Sequence, residues 1–296
     1  ISMSQYQFRK EDIIILDDQQ LQRYQAELLK IGKDVAQAFE NYGIEYSLSG
    51  GSILGAIRHQ GFIPWDDDID LNIPRASYNK LLDIFDQALG DKYYLQTPTM
   101  HPELGLLVTQ IRKKHTVARR KYDWNSEDCG ISIDLYIIEN TFNNPVLRFI
   151  QKYVSLALSF ALSSIREIQM QELPKEIFEL EGRPLNYSGL KLAVGRFFKL
   201  IPNRYWIKWA TKVNAWCRNN KSKYVAIPTG RKHFTGEIYL RENMCVFKDQ
   251  AFEDTSFKVP IWAETYLRLF YGENYLELPP VNQREKHLFL ELEYHD

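Results

Sequence analysis

The sequence predicts an α+β protein in which helices flank a mixed β-sheet and a helical, basic region follows. Three observations predict this class. Helical and strand-like periodicities alternate up to about residue 143. Helical spacing dominates from Pro145 onward. An apolar fraction of 45% with 25% charged residues is typical of a globular chain that can bury a core.

An amphipathic helix is the first predicted element. Residues 17–42 carry apolar side chains at three- and four-residue steps, Asp17 and Asp18 are candidate caps, and Gly43 follows the last turn. The next elements are shorter. Predicted strands cover 44–48, 66–73, 93–97, 106–112 and 131–138, and predicted helices cover 53–59 and 75–89.

Acidic residues crowd the start of the second predicted strand. Side chains two residues apart share a face of a strand, so Asp66, Asp68 and Asp70 would line one side and Asp67 the other. Carboxylates on one face repel unless a cation lies among them, and hard oxygen ligands suit Mg²⁺. Asp134 is a lone charge in an apolar strand and needs a partner or a metal. We therefore predict a metal site formed by Asp68, Asp70 and Asp134.

A glycine-rich turn precedes this strand. Gly50, Gly51 and Ser52 lie between a predicted strand and a predicted helix, where exposed backbone N–H groups and a helix N-terminus favour a phosphate. Arg58 and Arg75 flank these elements and are candidates for neutralising phosphoryl charge. The pattern predicts that Gly50, Gly51, Ser52 and Arg75 bind the phosphates of a nucleotide.

Positive charge is concentrated in one segment. Residues 182–235 contain twelve of the 37 basic residues and none of the 38 acidic ones, although the formal net charge of the chain is only -1. Aromatic side chains lie among these charges: Phe197, Phe198, Tyr205, Trp206, Trp209 and Trp216. We expect this segment to contact an anionic membrane surface or a polyanionic acceptor rather than nucleic acid.

Targeting and cysteine patterns give further expectations. No basic region followed by an apolar core opens the sequence, and the longest apolar run, 154–165, is shorter than the roughly 20 residues that span a bilayer. We expect a cytoplasmic protein, peripheral at the inner face of the membrane, with no spanning segment. Cys129, Cys217 and Cys245 lie far apart, which predicts reduced thiols and no zinc site.

Several ordered motifs resemble the LicD family. They are Ser49 to Arg58 (SGGSILGAIR), Gly61 to Asp70 (GFIPWDDDID), Pro74-Arg75, Ile133 to Tyr136 (IDLY), Tyr271 to Tyr275 (YGENY), Leu278 to Pro280 and His287. The resemblance implies the nucleotidyltransferase fold. It also implies a phosphocholine transferase that uses CDP-choline, releases CMP and modifies a sugar of a teichoic acid precursor, lipopolysaccharide or another surface glycan.

By the same resemblance, Asp68 and Asp70 are metal ligands with Asp134 as the third carboxylate. One or two Mg²⁺ ions are expected, with Mn²⁺ as an alternative. Asp66 either binds the metal or orients Arg58. Asp134 and Asp66 are both candidates for the group that accepts the proton of the attacking hydroxyl.

Choline is a quaternary ammonium, for which aromatic rings and a carboxylate are the usual partners. Trp65, Tyr122, Trp124 and Tyr136 lie close to the motifs and are candidates for such a box. The predicted division of the chain is a catalytic core at 1–143, a helical, basic region that faces acceptor or membrane at 144–260, and a C-terminal segment at 261–296 that packs back on the core.

Three other functions remain open. One is a nucleotidyltransferase that makes a CDP- or UDP-activated compound from a nucleoside triphosphate. Another is transfer of a different CDP-linked polyol phosphate, such as ribitol phosphate. The third is a nonenzymatic glycan-binding module in which the acids hold Ca²⁺.

Overall fold

A computed structural model describes residues 13–124, 126, 128–173, 175–180, 189–281, 284 and 288–294; His287 lies outside them. The helices are α1 Asp18–Asn41, α2 Gly50–His59, α3 Arg75–Leu89, α4 Pro145–Met170, α5 Lys175–Leu180, α6 Gly189–Phe198, α7 Asn203–Asn214, α8 His233–Gly236, α9 Arg241–Met244 and α10 Ala263–Tyr271. The strands are β1 Ser47–Leu48, β2 Asp70–Pro74, β3 Tyr93–Gln96, β4 Thr109–Lys113, β5 Thr116–Arg119, β6 Ser132–Thr141, β7 Tyr224–Ala226, β8 Ile238–Leu240, β9 Phe247–Phe252, β10 Thr255–Pro260 and β11 Glu291–Tyr294.

The central sheet has the strand order β1-β2-β6-β4-β3, and β7 and β8 extend it from the far half of β6. β2 and β6 run parallel, whereas the other pairs of this sheet are antiparallel. The parallel pair places Asp70 beside Asp134. The predicted α+β class, a mixed sheet with helices against it, is confirmed.

The first helix forms where its periodicity predicts. α1 begins with a capping box in which the Asp17 carboxylate accepts from the backbone N–H of Gln20 at 2.8 Å and the Gln20 side chain accepts from the Asp17 N–H. Its inner face buries Leu28, Ile31 and Phe39 in the main core. The cap and the apolar stripe together explain why this helix matches its prediction to within one residue at each end.

The acidic segment differs from its prediction. The strand begins at Asp70, so Asp66 lies in the preceding turn, where its N–H donates to the carbonyl of Ile63 at 2.9 Å. Strict alternation of faces therefore does not extend back to Asp66. Asp67 does leave the shared face, because its buried carboxylate accepts from Arg120 at 3.0 Å.

The expectation of helix throughout 144–260 is wrong from residue 224 onward. This part contains β7, β8 and the β9–β10 hairpin, whose Phe252 and Phe257 are buried in the main core. β7 and β8 have three residues each, too few to display a two-residue period. The helical prediction for 145–214 agrees with α4 to α7, and the division into three domains stays a prediction.

The C-terminal segment contributes to the main core. Tyr266 and Leu267 of α10 are buried there together with Phe289, and β11 pairs antiparallel with β5, a strand that the periodicity did not predict. α10 packs against α2. This contact brings C-terminal side chains to the glycine-rich turn.

α4 is the one helix in the described ranges that is long and apolar enough, by length and composition, to cross a membrane. Its most apolar 18-residue window is 22% buried. The buried side packs against α6 and α7. The sequence-based expectation of no spanning segment stays a prediction.

Candidate active-site cleft

A cleft of about 580 Å³ opens where the N-terminus of α2, the start of β2 and the end of α10 meet. Asp66, Asp68 and Asp70 lie on one side of it. The other walls come from the segments 230–237 and 266–280. Three carboxylates therefore share one cleft with polar and aromatic side chains from distant parts of the chain.

Asp70 is the most constrained of these acids. Burial raises the pKa of its carboxyl well above the usual range, and the nearby charges of Asp68, Asp134 and Asp66 raise it further. Its neighbour in register on the parallel strand is Asp134, and adjacent strands lie about 5 Å apart. The cluster accumulates negative charge that a cation would relieve.

Asp134 lies in the strand beside Asp70 but outside the set of side chains that line the cleft. Its Oδ1 accepts a hydrogen bond from Gln110 Nε2 at 2.7 Å. Burial raises the pKa of Asp134, and the bond from Gln110 and the charge of Arg112 oppose that rise. The structure thus brings Asp134 to the cluster with its side chain already oriented by Gln110.

The acidic turn has the chemistry of a divalent cation site. Asp66, Asp67 and Asp68 each offer a carboxylate oxygen, and these oxygens lie within 4.8 Å of one another. Asp67 is engaged by Arg120, whereas Asp66 and Asp68 face the cleft beside Asp70. An all-oxygen donor set around excess negative charge fits Mg²⁺ or Mn²⁺. The convergent oxygens are those of Asp66, Asp67 and Asp68, and Asp70 lies close enough for the charges of Asp66 and Asp68 to raise the pKa of its carboxyl.

The glycine turn reaches the cleft as predicted, except for Ser52. Gly50 has a φ of +46°, a left-handed conformation that glycine adopts without strain, and both Gly50 and Gly51 line the cleft at the start of α2. A Cβ on Gly51 would lie 3.2 Å from Asp66 Oδ2. Ser52 instead is buried, and its Oγ accepts from the Asp70 N–H at 2.9 Å, so it positions the acid.

Arg58 lines the cleft and also holds the C-terminal wall in place. Its Nη1 donates to the carbonyl oxygens of Tyr275 and Glu277, both at 3.0 Å, and its Nε donates to His59. Burial lowers the pKa of Arg58. The hydrogen bonds show Arg58 as a link between α2 and the segment after α10.

Arg75 does not reach the cleft, which corrects the expectation that it flanks the phosphates. It follows the far end of β2, about 13 Å along the strand from Asp70. There it forms a salt bridge with the buried Glu139 and lines a different cavity. Arg75 is next to the motif in the sequence, but the length of β2 places it far from the acidic cluster.

Glu237 is a cleft residue that the sequence did not reveal. It is 2% exposed, and burial raises the pKa of its carboxyl to about 7, while the Lys232 N–H donates to Oε1 at 2.9 Å. A Cβ on Gly230 would lie 2.3 Å from that Oε1, so only glycine leaves room for it. One signal was available: Glu237 is the first acid after the stretch 182–235.

Aromatic side chains accompany Glu237 in the cleft. Of the four predicted candidates, Trp65 and Tyr136 line it, whereas Tyr122 and Trp124 lie elsewhere. The other rings come from α10 and the segment after it: Tyr266, Phe270, Tyr271 and Tyr275. The charge of Glu237 acts on Tyr136 and Tyr266, which places these two hydroxyls near its carboxylate.

Comparison with known proteins agrees with this geometry. Residues 43–149 match the LicD/FKTN/FKRP nucleotidyltransferase domain. The lipopolysaccharide cholinephosphotransferase LicD of Haemophilus influenzae is 27% identical over 252 residues, 84% of this chain and 88% of that protein. The chain therefore carries a LicD-family domain. Within the chain, the matched domain supplies the acidic cluster and the glycine turn, whereas Glu237 and the α10 tyrosines lie outside the matched residues.

A second pair of relatives shares only a short segment. The ribitol 5-phosphate transferase FKRP of mouse and of human is 48% identical over 46 residues, which is 16% of this chain and 9% of either relative. The relatives thus transfer phosphate esters of different head groups. These named relatives are transferases, and the similarity to them supports a transferase.

Proposed function

We propose that this chain transfers phosphocholine from CDP-choline to a hydroxyl of a surface glycan and releases CMP. The observation that carries the proposal is that one cleft combines an acidic cluster, a glycine-rich helix N-terminus and a buried carboxylate beside aromatic rings. The similarity to the Haemophilus influenzae cholinephosphotransferase over most of both chains supports choline as the head group. The acceptor class is a glycan such as lipopolysaccharide or a teichoic acid precursor.

The first part of the mechanism concerns the diphosphate of the donor. The N-terminus of α2, with its positive dipole end and the Gly51 N–H, binds the diphosphate oxygens, since Gly50 and Gly51 let them approach closely. Arg231 and Arg58 lie in the same cleft and add positive charge. Asp68 and Asp70, with Asp134 behind them, would hold Mg²⁺ or Mn²⁺; when bound, the ion neutralises charge on the phosphates.

The second part is the transfer itself. The acceptor oxygen forms a bond to the phosphorus that bears choline, the bond from that phosphorus to the CMP oxygen breaks, and the hydroxyl proton passes to a carboxylate. Asp66 is the better placed of the two predicted acceptors, because it lines the cleft while Asp134 is held by Gln110.

The third part is head-group recognition. Glu237 supplies negative charge, and Tyr136 and Tyr266 supply ring faces, for a cation that cannot donate an ordinary hydrogen bond. Trp65 is engaged on its ring by Arg284 at 4.1 Å and forms the opposite rim.

The test compares donors on the purified protein with Mg²⁺ and a glycan acceptor. CDP-choline, CDP-ribitol and CTP with phosphocholine are supplied separately, and CMP and pyrophosphate are measured. The proposal predicts CMP from CDP-choline. CMP from CDP-ribitol alone would assign the FKRP-like transfer, which the short match favours as the second candidate. Pyrophosphate from CTP would identify a nucleotidyltransferase.

A further inference from the structure

An apolar stripe lies exposed along the first half of α4. Val146, Phe149, Ile150, Tyr153 and Phe160 follow one another at spacings that place them on one side of the helix, and Phe149 is 58% exposed. The opposite side contributes Leu162 and other side chains to a separate small core. A continuous row of large apolar groups facing water indicates a binding surface.

Two further helices expose apolar side chains. Phe197, Leu200 and Ile201 lie at the turn between α6 and α7, where Leu200 is 78% exposed. Tyr205, Trp209 and Trp216 follow at helical spacing along α7 and just beyond its end, and all three are exposed. We call the exposed side chains of 197–201 and 205–216 the α6–α7 face; α7 packs on the side of α4 opposite its exposed stripe, so that stripe faces another way.

The three helices form one rigid support for this face. Gln151 Nε2 and Ser155 Oγ donate to Asn214 at the end of α7 at 3.0 and 2.6 Å, whereas Leu162 clusters with Ile207 nearer its start. α4 and α7 are therefore antiparallel neighbours. Trp206 Nε1 donates to the carbonyl of Phe198, which joins α7 to α6.

Charge identifies what the face contacts. No acidic residue lies in α4 before Glu167 or anywhere in 189–235, and Lys199, Arg204, Lys208 and Lys212 are exposed beside the aromatic row. A second copy of the chain docked through the same face would present the same positive sign and be repelled. Aromatic rings with long cationic side chains instead suit the boundary between anionic head groups and acyl chains.

We propose that the α6–α7 face docks the protein onto a bilayer that contains anionic phospholipid. α4 does not cross the bilayer in this arrangement, because crossing would break the buried hydrogen bonds of Gln151 and Ser155 with α7. The protein is then peripheral to the bilayer. The inference is independent of which head group the enzyme transfers.

The experiment is flotation of the full chain with phosphatidylcholine vesicles, with and without phosphatidylglycerol, at low and high salt. We expect flotation only with phosphatidylglycerol and weaker binding at high salt. Lys208→Glu and Lys212→Glu should each weaken binding at least about fivefold. Lys248→Glu is the matched control, since Lys248 is exposed on β9, away from the face.

A second pair of variants tests the apolar contribution. Leu200→Ser should reduce flotation, whereas Leu82→Ser, which removes a 46% exposed leucine from α3, should leave it unchanged. Trp209 and Trp216 should shift their fluorescence to shorter wavelength with vesicles. A protein that stays in solution, floats equally with neutral vesicles, or forms a dimer that Leu200→Ser dissolves would overturn the proposal. Donor hydrolysis in solution is measured in parallel, so loss of the enzyme is distinguished from loss of docking.

Discussion

At the scale of single residues, Asp70 shows how the cleft concentrates unfavourable charge. It is surrounded by Asp66, Asp68 and Asp134, and burial adds to their repulsion. The repulsion among these carboxylates destabilises the fold unless a bound group offsets it, so such a cluster is typical of a functional site. We therefore expect that the carboxyls required for the reaction are not required for folding stability.

Asp70→Asn should lower transferase activity at least a hundredfold, equivalent to about 3 kcal/mol, while the melting temperature without metal stays level or rises. The reason is that the amide removes a repelled charge from the cluster. Adding Mn²⁺ should raise the melting temperature of the wild type and not of the variant. Asp83→Asn, an exposed acid on α3, is the control. A variant that loses both activity and stability would show a structural role instead.

Glu237→Gln should raise KM for CDP-choline with little effect on kcat, because the variant keeps the acceptor for the Lys232 N–H but loses the charge that faces the head group. For a donor with a neutral polyol, KM should stay unchanged. Steady-state kinetics with both donors measures the difference. An equal fall in kcat with the two donors would make Glu237 a proton acceptor rather than a head-group ligand.

The same residue predicts a pH dependence of stability. Its pKa is raised from 4.5 to about 7, so the contribution of its protonated form to folding stability is complete below about pH 4.5 and is lost as pH rises through 7. Relative to wild type, Glu237→Gln should gain stability across that window, by about 3 kcal/mol at most. Urea unfolding at several pH values measures it, with the exposed Glu264→Gln as control. A constant difference across the window would contradict the buried carboxyl.

At the scale of elements, the start of α2 depends on backbone conformation. Gly50 stands at a positive φ, and its N–H bonds to the hydroxyl of Tyr266 on α10. The helix N-terminus is thereby fixed relative to the acids on β2. The shape and chemistry of the proposed phosphate site therefore depend on Gly50 and on the contact between α2 and α10.

Gly50→Ala should cost about 1 kcal/mol of stability and reduce activity by a larger factor than this loss explains, because the backbone amides would rotate away from the donor. Gly189→Ala, at the start of α6 with open space around it, should be neutral. Thermal unfolding and donor turnover are compared for both. If the two variants behave alike, the left-handed turn is not required.

At the scale of the whole molecule, Arg120 joins three distant segments. It binds the carboxylate of Asp67 at 3.0 Å, interacts with Tyr24 of α1 and lies 4.7 Å from the ring centroid of Phe289. The acidic turn, the first helix and the C-terminal segment are tied together by this guanidinium. The cleft keeps its shape because these segments cannot move separately.

Arg120→Leu should destabilise the protein by about 3 kcal/mol, since it leaves the buried Asp67 without this cationic partner. Adding Asp67→Asn should recover part of that loss. Denaturant unfolding of the two single variants and the double variant forms a cycle that isolates the pair. Strictly additive losses would mean that the two side chains do not depend on each other.

The sequence by itself determined the class of fold, the acidic turn and the glycine turn. α1 follows from periodicity and its cap, α3 follows from periodicity, and the shared cleft of Gly50 with Asp68 and Asp70 follows because these residues lie close in the chain. These features depend on residues that are close together in the sequence, so local patterns predict them.

Only the tertiary structure decided the rest of the cleft. It placed Asp134 beside Asp70, brought Glu237 and Tyr266 to the same space, and carried Arg75 to the far end of β2. Periodic burial states that a strand faces a core but not which strand is its neighbour. Side chains that are far apart in the sequence are brought together by tertiary packing, and no local sequence pattern predicts those contacts.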